Sequence, residues 1–212
     1  MTGNIILLGQ GSEWFWSAVQ AVLVLVSALF LYRQLVAQSR ADVVSAIESI
    51  WARFDSHEML QIRARVAAYY LDGGRGLNGD VQILLGFWEQ VGTYVRLKSL
   101  PLDAFSLSFV YYIDYYQEAF RGGIRSYRAE MKDFFFFSDM EMACEKMRGY
   151  MQRQGQPIPV PKDEHLMQFF RDEFQSAMRL LPEAEFQEVL GRDFAKVAQI
   201  VGTMDRAQAA EG

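Results

Sequence analysis

From Trp14 to Tyr32 the chain runs for 19 residues without a charge, bounded by Glu13 and Arg33. A helix rises about 1.5 Å per residue, so this run spans roughly 28 Å, close to the hydrocarbon thickness of a bilayer. Ten of its residues are Leu, Val or Phe. Each contributes about −0.3 to −0.6 kcal/mol at mid-helix, set against Ser17, Gln20 and Ser27 as the polar costs. The pattern predicts a transmembrane helix over 14–32, with residues 1–13 as a short external N-terminus. A cleaved signal peptide fits poorly: residues 1–13 hold no Lys or Arg, and the apolar run ends in Leu31-Tyr32-Arg33-Gln34, which is no small-residue cleavage site. A buried core helix of this length would carry a polar stripe. Trp14 and Trp16 at one end and Tyr32 at the other match the aromatic belts of membrane helices. Arg33 and Arg40 flank only the C-terminal side, which predicts a single-pass protein of the inner (plasma) membrane with its N-terminus outside and residues 33–212 in the cytoplasm.

Beyond Arg33 no Gly or Pro interrupts the chain until Gly73, so the helix is expected to continue out of the membrane. Val36, Val43, Ile47, Ile50 and Phe54 recur at helical spacing, and Arg40 breaks the seam, which favours a helix laid on its own domain over a coiled-coil stalk. Ser56 is positioned to cap a second helix ending by Asp72-Gly73-Gly74. A third is predicted from an Asp80 cap through Lys98, with Leu84, Phe87, Trp88, Val91 and Val95 on its apolar face. A fourth, capped by Asp103, aligns Phe105, Phe109, Tyr112, Tyr116 and Phe120 and should kink or end at Gly122-Gly123. A continuous or broken helix follows over 124–137, and a fifth helix from Asp139 to about Arg153. Pro157, Pro159 and Pro161 make 155–163 an extended connector. Two last helices, about 163–181 and 183–201, complete a C-terminal region over 164–212, packed on the helical domain of 33–154 or mobile. The predicted fold is therefore all-α, a transmembrane helix followed by a bundle of about six helices.

Charge and chemistry narrow the function by exclusion. A net charge of −5, or −4 without Glu13, argues against a nucleic-acid surface. A second span is disfavoured by Glu89 and Arg96 in one apolar window and Asp103 and Asp114 in the other. Cys144 is the single cysteine and has no disulfide partner in the chain, as suits a reducing compartment. Gly74-Arg75-Gly76-Leu77-Asn78-Gly79 matches the G-x-G-x-x-G string of phosphate-binding loops, but a helix precedes it where that chemistry needs a strand. Its glycines read as helix punctuation. His57 and His165 lie over a hundred residues apart and neither has a helical metal-ligand partner, while Glu141 and Glu145 sit beside Lys146 and Arg148. No catalytic, cofactor or metal residue is assigned, and no cofactor is expected.

Two features point to interaction. Ser17, Gln20, Ala21, Val24, Ser27 and Ala28 fall within about 120° of arc on the span, the kind of small and hydrogen-bonding stripe by which membrane helices associate. The expected partners are membrane lipid and a second copy or another membrane protein. Phe134, Phe135, Phe136 and Phe137 cannot all face one core, so at least one should be exposed or cover another element, as a bend buried on both sides, a membrane contact or a partner surface.

The span ending in Leu31-Tyr32-Arg33-Gln34-Leu35, then Trp51-Ala52-Arg53-Phe54 before Ser56 and Glu58-Met59, then Gly86-Phe87-Trp88-Glu89-Gln90-Val91-Gly92, and Leu102-Asp103 leading to Tyr111-Tyr112, together resemble an uncharacterised family of bacterial single-pass membrane proteins, a domain of unknown function. The resemblance covers roughly residues 14 to 150 and implies a short anchor with a cytoplasmic helical domain and no assigned reaction. The expected role is a membrane-anchored scaffold or adaptor without chemistry of its own. The alternatives are a membrane-acting effector that assembles through its span, and an enzyme with a site in the bundle that no motif marks.

Overall fold

The computed structural model describes residues 13–182 together with 184, 187, 188, 191, 197, 199 and 201. Among them the chain is all-helical: α1 (Glu13–Phe54), α2 (His57–Leu71), α3 (Gly79–Arg96), α4 (Leu102–Met131), α5 (Ser138–Arg153) and α6 (Asp163–Leu180). The chain divides into two compact units, Met1–Ser45 and Ala46–Gly212. The expected N-terminus over 1–13 and most of the last expected helix lie outside the described residues.

The second unit is built on amphipathic helices that close on one aromatic core. α2 packs on α6, α3 on α5, and α5 on α4, with α2 also lying against α3. The last turns of α1 belong to this unit: Ile50 and Phe54 are buried, and Ile47 and Trp51 pack against the core. The Trp51 ring meets Phe109 and Tyr112, while Phe54 meets Phe87, Trp88 and Tyr112 at 4.9–5.7 Å between centroids. Phe105, Phe109, Ile113, Tyr116, Phe120 and Ile124 form the buried face of α4, a regular three-to-four spacing that fixes which side of the helix turns inward.

Helix ends follow local chemistry where it was expected, with three exceptions. Ser56 caps α2 by accepting from the Met59 N–H. Asn78, not Asp80, caps α3, since its side chain takes the Val81 N–H at 2.9 Å; Asp80 in the first turn instead pairs with Arg65. Pro101 stands at the cap position of α4, and Asp103 lies inside its first turn. Gly122-Gly123 does not end α4, which continues to Met131. The reason is tertiary: a Cβ on Gly123 would lie 2.8 Å from the Arg75 carbonyl oxygen, so glycine there lets the α2–α3 loop seat on the helix. Gly92 on α3 does the same for the start of α5, because a methyl group there would collide with the Asp139 carbonyl.

Candidate functional site

Among the described residues one helix, α1, is long and apolar enough to cross a membrane, and no part of its apolar window is buried. Ser17, Gln20, Ala21, Val24, Ser27 and Ala28 are all exposed.

In the second unit the four consecutive phenylalanines divide two and two. Lys132 ends α4 in the left-handed conformation at φ 53°, and Phe137 opens α5 at φ 60°, so the chain reverses across 132–137. Phe137 is buried, and the Phe136 ring packs at a tilt against Tyr127 and Phe137, at 4.6 and 4.0 Å between centroids. Phe134 and Phe135 are 76% and 80% exposed, next to exposed Met131. Hydrogen bonds hold the turn. Arg128 donates to the Phe136 carbonyl from both Nε and Nη2, at 2.8 and 2.6 Å, and its Nη2 also reaches Glu141. Asp133 accepts the Phe135 N–H, and the Ser138 N–H closes on the Phe135 carbonyl at 2.9 Å. The Phe run is therefore half packed and half surface, and the backbone of the turn that carries the surface half is hydrogen-bonded.

The buried ionisable groups are the residues that sequence reading left unassigned. Arg63 on α2 makes a two-bond pair with Glu173 on α6 at 2.7 and 2.9 Å, and the Tyr116 hydroxyl on α4 donates to the same carboxylate at 2.5 Å. Arg63 Nη1 also donates to the Phe54 carbonyl and to Asp55, and its guanidinium lies 4.0 Å from the centre of the Phe54 ring. Burial works against the Arg63 charge, but the Glu173 hydrogen bond and the surrounding field outweigh it and hold the pKa above its ordinary value. Tyr116 is pushed well up by burial and by Glu173, which keeps it a hydrogen-bond donor. One guanidinium thus joins the end of α1, α2, α4 and α6. A detectable signal existed: Arg63 sits between Met59 and Ala67, and Glu173 between Phe169 and Ala177, each a charge inside an apolar stripe.

A second set docks α5 on α3 and α4. Glu89 accepts the Asp139 and Met140 N–H groups at 3.1 and 2.8 Å, capping α5 from another helix. Burial raises the Glu89 pKa, and these two bonds partly counter it. Asp139 takes hydrogen bonds from Thr93 and Arg96, which overcome the effect of burial and lower its pKa. The Gly86–Gly92 motif is in this way a docking surface for α5. Asp114, 1% exposed, pairs with Arg148 at 2.6 Å; burial raises its pKa against that cation. Burial first, then Asp114, raises the Cys144 thiol well above its usual value, so it is an inert packed side chain.

The glycine string is helix punctuation. Gly73 at φ 91° follows α2, and Gly74 lies under the Tyr69 ring, where any side chain would collide. Arg75 stacks 3.6 Å from the centre of the Tyr70 ring and donates to the Tyr70 and Gly74 carbonyls. The shallow recess beside it, lined by Gly76, Gly122, Gly123, Ser126 and Tyr127, offers an anion little beyond that committed cation. Among the described residues no three His, Cys, Asp or Glu side chains converge as metal ligands. Glu141, paired with Arg128, belongs to the fold. The chain matches no protein-family model, no curated protein and no solved structure.

Proposed function

We propose that the protein is a membrane-anchored helical adaptor: α1 crosses the bilayer through residues 14–32, and the helical domain works by protein–protein interaction at the cytoplasmic face of a bacterial inner membrane. The observation that carries the reading is the apolar window of α1, none of it buried, in a helix whose last turns bury Ile50 and Phe54 among the domain's aromatics. An apolar cylinder of that length favours hydrocarbon over water by several kcal/mol. Arg33 and Arg40 on one flank support the N-out orientation, and the resemblance to single-pass proteins supports the compartment. Buried Arg63 pairs with Glu173 and buried Asp114 with half-buried Arg148, each across two helices, and charges engaged in this way fit an adaptor better than an enzyme.

Binding to a second copy or to another membrane protein would use the stripe Ser17, Gln20, Ala21, Val24, Ser27 and Ala28. Crosslinking and detergent sizing of wild type against Gln20→Leu test that contact: the reading expects assembly reduced in the variant, and equal assembly in both removes the stripe from it. Expression with a dye-permeability readout separates adaptor from effector. An adaptor leaves the membrane sealed, whereas leakage dependent on residues 14–32 would overturn this assignment.

A further inference from the structure

We infer that Arg33 and Arg40 form a site for the headgroup phosphate of an anionic phospholipid, on the flank of α1 where its uncharged run ends; the inference rests on the membrane-anchored reading above. The number of these cations bears on orientation, whereas their arrangement makes a site. Arg33 and Arg40 are one heptad apart, and a helix drifts only about 20° over a heptad, so both stand on one face. Tyr32, Arg33, Val36, Ala37 and Arg40 line a single shallow recess, all of them exposed, with the small Ala37 between the two cations as its floor. Neither guanidinium is engaged within the chain. Among the described residues no carboxylate pairs with Arg33 or Arg40, and Asp42, two positions beyond Arg40, lies on the opposite side of the helix.

Depth selects lipid as the source of the phosphate. Arg33 directly follows the last uncharged residue of the run, and the headgroup layer adds about 5 to 7 Å to the hydrocarbon on each side. Arg40 starts about 10 Å further along the axis. Side chains on a helix lean toward its N-terminus, which from Arg40 is the direction of the apolar run, so Arg40 reaches back over Ala37 toward that layer while Arg33 begins in it. The Tyr32 ring stands at the boundary, where its hydroxyl meets headgroups and water. Phosphodiesters fill this layer at all times, and a soluble acidic protein would have to displace them. A guanidinium pairs with phosphate through two parallel hydrogen bonds and stays charged at any physiological pH. Two such forks facing one recess favour a lipid of net negative charge over phosphatidylcholine, whose choline cancels its phosphate.

The test is electron paramagnetic resonance of the full chain in phosphatidylcholine vesicles containing spin-labelled phosphatidylglycerol or spin-labelled phosphatidylcholine, which separates lipid immobilised on the protein from free bilayer lipid. The proposal expects the wild-type chain to immobilise phosphatidylglycerol about twofold more than phosphatidylcholine. The deciding variant exchanges two nearby residues, Gln38→Arg with Arg40→Gln. Composition, net charge and the number of flanking cations stay as they are, but the moved cation lies about 140° round the helix from Arg33. The preference for phosphatidylglycerol should disappear in this variant. A preference that survives the exchange is diffuse attraction to a basic flank and overturns the site. Inorganic phosphate that abolishes the wild-type preference at constant ionic strength, where chloride does not, assigns the recess to a soluble phosphate and also overturns it. Equal immobilisation of both lipids by the wild-type chain overturns the site and keeps the anchor, while no immobilisation of either removes the anchor reading itself.

Discussion

α1 and α4 are the two longest described helices, with 42 and 30 residues, and both are rich in large apolar side chains; they use them in opposite ways. In α4 the buried residues recur every three or four positions, and Asp103, Leu107 and Tyr111 are left to water. In α1 the stretch 14–32 is free of charge on every side, with Ser17, Gln20 and Ser27 its few polar residues, and none of it is buried, while burial begins only at Ile50. A periodic apolar face is matched to protein. An uncharged, largely apolar cylinder is matched to an apolar surrounding, which the proposed reading supplies as lipid.

The largest effect should come from making the cylinder polar. Val24→Lys with Leu25→Lys adds two charges at mid-helix, at about 2.5 to 3.5 kcal/mol each, and is expected to move the protein from the membrane pellet to the soluble fraction. Retention of the variant in the pellet would mean that something other than α1 holds the chain there.

Next comes the bundle's internal pairing. Arg63→Ala leaves Glu173 buried without its cation and should cost about 3 to 5 kcal/mol in denaturant unfolding followed by the core tryptophans. Arg63→Met with Glu173→Met should recover much of that loss. A double variant no better than the single one would show that the pair is valued for more than mutual neutralisation.

Adjacent glycines give a smaller and signed contrast. Gly123→Ala must push the α2–α3 loop off α4 and should destabilise by about 1 to 3 kcal/mol, whereas Gly122→Ala meets open space and should stabilise by about 0.5 to 1 kcal/mol. Equal effects in thermal unfolding would refute the close approach at 123.

The smallest effect is pH-dependent. Asp139 has a folded-state pKa below its unfolded one, so its contribution is present above the ordinary aspartate range near 3.9 and is lost as pH falls through the folded value. Asp139→Asn should therefore cost about 1 kcal/mol at neutral pH, with the gap to wild type closing in acid. Asp114 has the opposite sign: its raised pKa makes its contribution greatest in acid and diminishing as pH rises through the folded value. As pH falls below neutrality, the stability of Asp139→Asn should thus rise relative to wild type and that of Asp114→Asn should fall relative to it.

What sequence could show here was whatever one helix decides for itself. The unbroken α1, the Ser56 cap, the α4 apolar face and the start of α6 after the prolines at 157–161 all follow from local pattern. What it hid depends on another helix. Asp80 looks like a cap until Arg65, 15 residues earlier, takes its carboxylate. Gly122-Gly123 looks like a terminator until the loop at Arg75 seats on the second glycine. That the four phenylalanines could not share one core was readable, but which pair faces out is set by Arg128 and Tyr127. Arg63 and Glu173, 110 residues apart, could be noticed only as charges in apolar stripes, with nothing in the sequence to join them.

The most direct measurement is alkaline carbonate extraction of membranes from cells producing the full wild-type chain. A bilayer-spanning α1 predicts that the protein stays in the pellet and is released only by detergent; recovery of the intact chain in the carbonate supernatant would contradict the account.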